Sequence, residues 1–278
     1  MNVKIKLLTD LASKINELCQ DEDLDSAIKL HYADLTTLYN TNPNHFRFLF
    51  QNNRFILSTY LAIDYYTSDK PSIAKVKRKC LSLNTHALSN NTIYSLFDYY
   101  LISNRIKLFK NTEDKRTSSY YFTRKGEQDI IDLISVMIPA IQLLKDNRKI
   151  EIAFTDISFL ESYFVNYATI VELGYAFFSN VKGIELFISK NAGHLILMNL
   201  YCNQDENGRL NISLLQLSKN CNVSRNHIRS IINIAMSIDL IDKDRKGESY
   251  ILRPAFNEMI KHYMATRFIC IMYCLGVL

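Results

Sequence analysis

The stretch that decides the fold is LSKNCNVSRNHIRSIINIAMSIDLI, residues 217–241. Leu217 and Cys221 are spaced as the inner face of a short helix, and Asn222 is a residue that tolerates the left-handed backbone of a tight turn. Ser224 is placed to cap a second helix, whose buried stripe is Ile228, Ile231, Ile232 and Ala235. Leu240 and Ile241 begin a strand, DKDRKGES (242–249) makes a charged turn containing Gly247, and YIL (250–252) is the returning strand. Pro254 then stands at the first turn of a further helix. Arg225, Asn226, His227, Arg229 and Ser230 therefore crowd the face opposite the apolar stripe, and a helix that buries one side while offering donors on the other asks for a partner.

The same grammar occurs earlier in the chain. SIAKVKRKC (72–80) reads as a short helix, and LSNNTIYSLFDYYLISNRIKLFK (88–110) matches the second half of the motif at constant spacing: Leu88 with Val223, Ser89 with Ser224, Ile93 with Ile228, Phe97 with Ile232, Ile106 with Ile241. The earlier copy carries additional residues, LSLNTHA (81–87), before its second helix. An apolar helical segment precedes each copy, FILSTYLAIDYY (55–66) and HLILMNLYC (194–202). Two supersecondary units of one kind are expected in one chain.

Around these units the pattern is helical. Residues 1–40 read as two amphipathic helices, 127–144 as a long helix that Pro139 should kink or break, and about 157–190 as a second long helical region. The polar stretch KDNRKIE (145–151) suggests a boundary, dividing the chain into 1–148 and 149–278, each with one unit.

Composition sets the limits. The chain has 278 residues, of which 48% are hydrophobic, enough for one large core or two smaller ones. Only 7 glycines and 4 prolines are present, which favours long helices and argues against a glycine-rich phosphate loop. A formal net charge of +5 permits a nucleic-acid partner without requiring one. The 6 cysteines form no CxxC pair, as expected of reduced thiols in a cytoplasmic protein. No segment reads as a signal peptide, and the apolar FICIMYCLGVL (268–278) is too short to span a bilayer, so no membrane partner is expected. The 6 histidines are scattered without metal spacing, and no nucleophile–base arrangement or acid pair stands out. The expectation is a protein that is not an enzyme and needs no cofactor.

Helix, turn, helix and charged β-hairpin is the order of a winged helix-turn-helix. DKRTSSYYFTRKG (114–126) further resembles the wing signature of MarR-type transcriptional regulators through Asp114, Arg116, Phe122, Thr123 and Gly126, with Phe122 where leucine is usual. The resemblance covers roughly 45–145, and 185–265 at the level of the helix-turn-helix and a shorter wing. It implies a mainly α fold with small β-hairpin wings, two winged units joined and flanked by long helices, and regulation of transcription by sequence-specific binding of double-stranded DNA. In that family the wing arginine, here Arg116, enters the minor groove and the aspartate, here Asp114, holds it in place.

In the second unit, Arg225 and Arg229 suit guanine, Asn226 suits adenine, and Ser224 and Ser230 suit phosphates or bases, with His227 alongside. The first unit offers neutral groups, Ser89, Asn90, Asn91 and Thr92, with Lys75, Lys77, Arg78 and Lys79 on the preceding helix to attract phosphate. Lys115, beside Arg116 in the first wing, and Arg245 and Lys246 in the second complete the expected DNA surface. The first unit is either a weaker reader or a copy that no longer binds. Typical MarR-type proteins dimerise with one unit each, so this chain is expected to be a pseudo-dimer by itself or a homodimer. A plasmid replication initiator and an interaction scaffold are the alternative functions. The aromatic run YFVNYATIVELGYAFF (163–178) is either core or the lining of a small-molecule effector site between helices, and Cys270 and Cys274 are either packing thiols or a redox pair.

Overall fold

The structure is a computed structural model and describes residues 3–82, 89–110, 118–144, 157–174, 181–244, 247 and 249–278. Helices dominate, and the strands form two separate two-stranded antiparallel sheets. This is the mainly helical fold with small hairpins that the sequence requires.

The chain opens with α1 (Val3–Cys19) and α2 (Leu24–Thr41), the two expected amphipathic helices. Along α2, Leu24, Ala27, Ile28, His31, Leu35 and Leu38 are buried at spacings of three and four, so one face of the helix lies in the core. The short α3 (Pro43–Leu49) begins on a proline that has no N–H to lose, and Asn42 accepts from the backbone N–H of His45 to cap it.

A run of six elements follows: α4 (Asn52–Thr67), α5 (Ile73–Ser82), α6 (Asn90–Ile102), β1 (Ile106–Lys110), β2 (Ser118–Phe122) and α7 (Arg124–Ser135). The helix expected over 127–144 is broken where Pro139 requires it: α7 ends, Val136 and Met137 turn, and α8 (Ile138–Leu144) restarts with Pro139 as its second residue. Proline there has no N–H to give the Ser135 carbonyl. The long helical region expected over about 157–190 holds two helices. α9 (Ile157–Glu172) stops before Gly174, whose φ of +83° is left-handed, and α10 (Glu185–Ile188) is a single turn.

The six-element order then recurs as α11 (Gly193–Cys202), α12 (Leu214–Asn220), α13 (Arg225–Ser237), β3 (Ile241–Lys243), β4 (Tyr250–Leu252) and α14 (Pro254–Leu275). The two runs share more than order. Ser89 and Ser224 cap their helices through the backbone N–H three residues on. Asn104 and Asp239 both turn the chain into the hairpin with left-handed backbone, at φ of 57° and 60°. The amide of Arg105 then returns to the Tyr100 carbonyl at 2.8 Å, as that of Leu240 does to Ala235 at 3.0 Å. In each run a residue between the first two helices bridges the returning strand, Ser72 to Ser119 and Arg209 to Ile251, the start of a third strand.

Buried side chains from both runs belong to one continuous cluster. α2 touches α3, α8, α11 and α14, while α1 lies along α14 and α9 packs between α4 and α14. The stretch 145–151, where the sequence suggests a boundary, lies outside the described residues. Cys270 and Cys274 are buried in α14, and burial pushes the Cys270 thiol up to about 12, so both act as small apolar packing groups.

Two residues at the start of α7 explain the Thr-x-x-Gly spacing physically. Thr123 accepts from the backbone N–H of Gly126 and donates to the Asn104 carbonyl at 2.7 Å, which ties α7 to the turn before β1. Gly126 lies against the Arg105 carbonyl, and a Cβ added there would sit 2.3 Å from that oxygen. Gly126→Ala is therefore expected to push α7 off the hairpin and cost about 1–3 kcal/mol. Urea unfolding would show it as a lower midpoint; an unchanged midpoint would mean the contact relaxes freely.

Candidate nucleic-acid interface

The turn between α12 and α13 is built as the sequence suggests. Asn222 is left-handed at φ 50°, and the Asn222 and Val223 amides bond back to the Lys219 and Ser218 carbonyls. Helices from the far N-terminus grip the same turn. Tyr39 Oη donates to the Cys221 carbonyl at 2.9 Å, and Arg47 Nη1 donates to that of Asn222 at 3.2 Å. The start of α13 is thus fixed by Ser224 from within and by α2 and α3 from without.

α13 divides into two faces. Ile228, Ile231, Ile232 and Ala235 are buried, while Arg225, Asn226, Arg229 and Ser230 are exposed. None of these four exposed side chains bonds or pairs with another described residue. His227 differs: its Nε2 donates to the Asn191 carbonyl at 3.1 Å, which ties α13 to the turn before α11. That nitrogen is already engaged, so among the residues expected to meet DNA His227 has a structural task.

Beside this helix start lies a cleft of about 450 Å³ whose walls include Arg47, Arg54, Asn222, Ser224 and His227. Arg54 stacks on the Phe48 ring, 3.9 Å from its centroid, and Nη1 of Arg47 is held by the turn. Two guanidinium groups and the backbone N–H end of a 13-residue helix therefore face one polar cleft. Sequence reasoning missed both arginines, because neither belongs to the repeated motif and only the tertiary fold brings them there.

The first run presents a different surface. Ser89, Asn90, Asn91, Tyr94 and Ser95 are exposed on α6, and Thr92 is half-buried beside the Ser89 cap. Lys77 on α5 donates to Tyr94 Oη at 2.8 Å, with its ammonium 4.6 Å from the ring centroid. A cation thus reaches the exposed face of α6, although that helix contributes none itself. Arg78 is exposed nearby, whereas Lys75 donates to the Lys70 carbonyl. Asp114, Lys115 and Arg116 of the first hairpin, and Arg245 and Lys246 of the second, lie outside the described residues.

Among the described residues no cluster of three or more histidine, cysteine, aspartate or glutamate side chains is placed to hold a metal ion. No helix among them is long and apolar enough to cross a membrane. No family model, curated protein or solved structure matches this chain.

Proposed function

We propose that the two six-element runs are winged helix-turn-helix units, and that the protein binds double-stranded DNA sequence-specifically to regulate transcription. One observation carries the reading: the capped, two-faced α13, whose Arg225, Asn226, Arg229 and Ser230 are exposed and unengaged, in a helix–turn–helix followed by a hairpin. A major groove admits such a helix and presents acceptors that arginine reads bidentately on guanine, and a donor–acceptor pair that asparagine reads on adenine. The cleft arginines Arg47 and Arg54 stand where a phosphate beside the helix start would lie. α6, with neutral groups and Lys77, is the weaker reader of the pair. Two unequal units in one chain form a pseudo-dimer suited to an asymmetric site.

The test is selection of duplex fragments from a random pool, by the parent protein and by Arg229→Ala. The parent should enrich a defined site. The variant should bind that site about 1–3 kcal/mol more weakly and lose preference at one base pair. A parent that enriches no sequence removes the regulator reading.

A further inference from the structure

The hairpin of the first run carries an aromatic pair on its solvent side. β1 and β2 pair in a register that sets Lys107 opposite Tyr121 and Phe109 opposite Ser119, so Lys107, Phe109 and Tyr121 share one face. The other face turns Ile106, Tyr120 and Phe122 into the core. Phe109 and Tyr121 are 47% and 40% exposed, and their ring centroids lie 6.2 Å apart. Neither ring meets a further aromatic ring among the described residues, and the Tyr121 hydroxyl bonds to none of them. Large apolar groups held together in water call for an explanation.

The second hairpin shows that the fold does not need this pair. The constant spacing that matches Ile106 with Ile241 matches Lys107 with Asp242 and Phe109 with Asp244. Asp242 accepts from Arg253 at 2.8 Å, and Asp244 accepts from the Ser249 hydroxyl at 2.9 Å. One hairpin thus engages these positions in internal polar bonds, whereas the other leaves two rings open. Charge separates the two faces as well. Lys107 stands directly opposite Tyr121, Arg124 follows the strand that carries Tyr121, and both cations are exposed. Neither β1 nor β2 contains an acid. Rings beside cations complement a polyanion that offers flat apolar faces, and a nucleic-acid strand with unpaired bases has both.

We propose that this face is a stacking platform for a single-stranded nucleic acid: Phe109 and Tyr121 each take an unpaired base, and Lys107 and Arg124 take the phosphates beside them. That the strand is DNA rests on the duplex reading of α13; the stacking itself does not. α13 reads paired bases by their edges and the hairpin takes bases that are unpaired, so one chain grips both forms of DNA.

The probes are oligothymidylate, oligouridylate and an abasic deoxyribose strand of equal length, bound to the full chain and followed by fluorescence anisotropy. Stacking of one base on one ring is worth about 5–150-fold in affinity, so oligothymidylate should bind at least about tenfold more tightly than the abasic strand. Phe109→Ala and Tyr121→Ala alter exposed side chains, and each should narrow that gap at least about fivefold while duplex binding holds. Tyr121→Phe keeps a ring and should recover the gap. The chain has no tryptophan, so Phe109→Trp supplies a single indole, whose emission a stacked thymine should quench and an abasic strand should not. Arg229→Ala should weaken duplex binding and leave the single strand untouched. A parent that selects no duplex but shows the quenching therefore loses the regulator reading and keeps the platform. Tighter binding of oligouridylate than of oligothymidylate overturns the assignment to DNA and gives the platform to RNA. Equal affinity for thymidylate and abasic strands, a gap unchanged in both alanine variants, or unquenched Phe109→Trp emission overturns the proposal. So does self-association that Phe109→Ala abolishes with no strand bound, which gives the face to a second copy of the chain.

Discussion

Lowering the pH from 7 to 4 is expected to remove most of the stability of this protein. His31 and His194 are buried as neutral rings. Burial, reinforced by the charge of Arg267, lowers His31 to about 4 and His194 well below the usual histidine range. The unfolded chain releases both rings to water, where histidine titrates near 6.5. Between about pH 6.5 and pH 4 the unfolded state therefore binds protons that the folded state refuses, and stability falls as pH falls. His31 alone contributes roughly 3 kcal/mol to that loss, at 1.36 kcal/mol per pH unit. His45 acts in the same direction, held down to about 3 by burial and then by Arg105 and Lys125. Asp129, Asp34 and Glu127, which burial raises, oppose the trend below about pH 5, but their partial burial makes that opposition the smaller effect. Against a total of about 5–15 kcal/mol for a typical domain, the histidine terms decide. Urea midpoints measured from pH 7 to 4 should drop steeply, and His31→Leu should flatten the slope. A midpoint independent of pH would mean that the rings are hydrated or paired in solution.

The parts of the fold that were legible in the sequence are those set by local chemistry. A serine three residues before an amide it can cap, an asparagine at a left-handed turn and a proline inside a helical pattern each act within one turn of backbone, so Ser224, Asn222 and Pro139 could be read directly. The stripe Ile228, Ile231, Ile232 and Ala235 was legible because burial repeats with the helical period. The division of 157–190 was not, because its aromatic and apolar residues carry no regular break and its two glycines, Gly174 and Gly183, are isolated from other turn residues of the glycine–proline kind. The candidate surface was legible on α13 and α6, whose exposed groups follow once the buried face is known. It was illegible at Arg47 and Arg54, because Arg47 meets the Asn222 carbonyl across 175 residues of chain and no periodicity encodes such a meeting. The same holds for His31 and His194: each sits on its helix like an apolar residue, and only the tertiary fold brings the two buried rings to 6.1 Å of each other.

Binding to the selected duplex is expected to weaken about a hundredfold between 50 and 200 mM salt. The cations available to phosphate and base edges among the described residues are Arg225 and Arg229 on α13, Arg47 and Arg54 at its cleft, and Lys77 and Arg78 beside α6. Each phosphate neutralised releases condensed counterions, and with Arg225 and Arg229 on bases the other cations make about four such contacts, a logarithmic slope of about −3.6 and hence roughly 10² over a fourfold change in salt. The slope distinguishes the roles of these side chains. Arg54→Ala, at the cleft, should reduce it by about one and weaken binding to every sequence alike, because a phosphate contact carries no base information. Arg229→Ala should instead cost affinity mainly for the preferred site and bring it closer to random DNA. The neutral face of α6 predicts that Lys77→Ala acts like Arg54→Ala, lowering the slope without altering preference. Fluorescence anisotropy of a labelled duplex at four salt concentrations measures all of these together. If the slope is flat, or if Arg229→Ala weakens selected and random duplexes equally, α13 does not lie in a major groove and its exposed arginines serve some other partner.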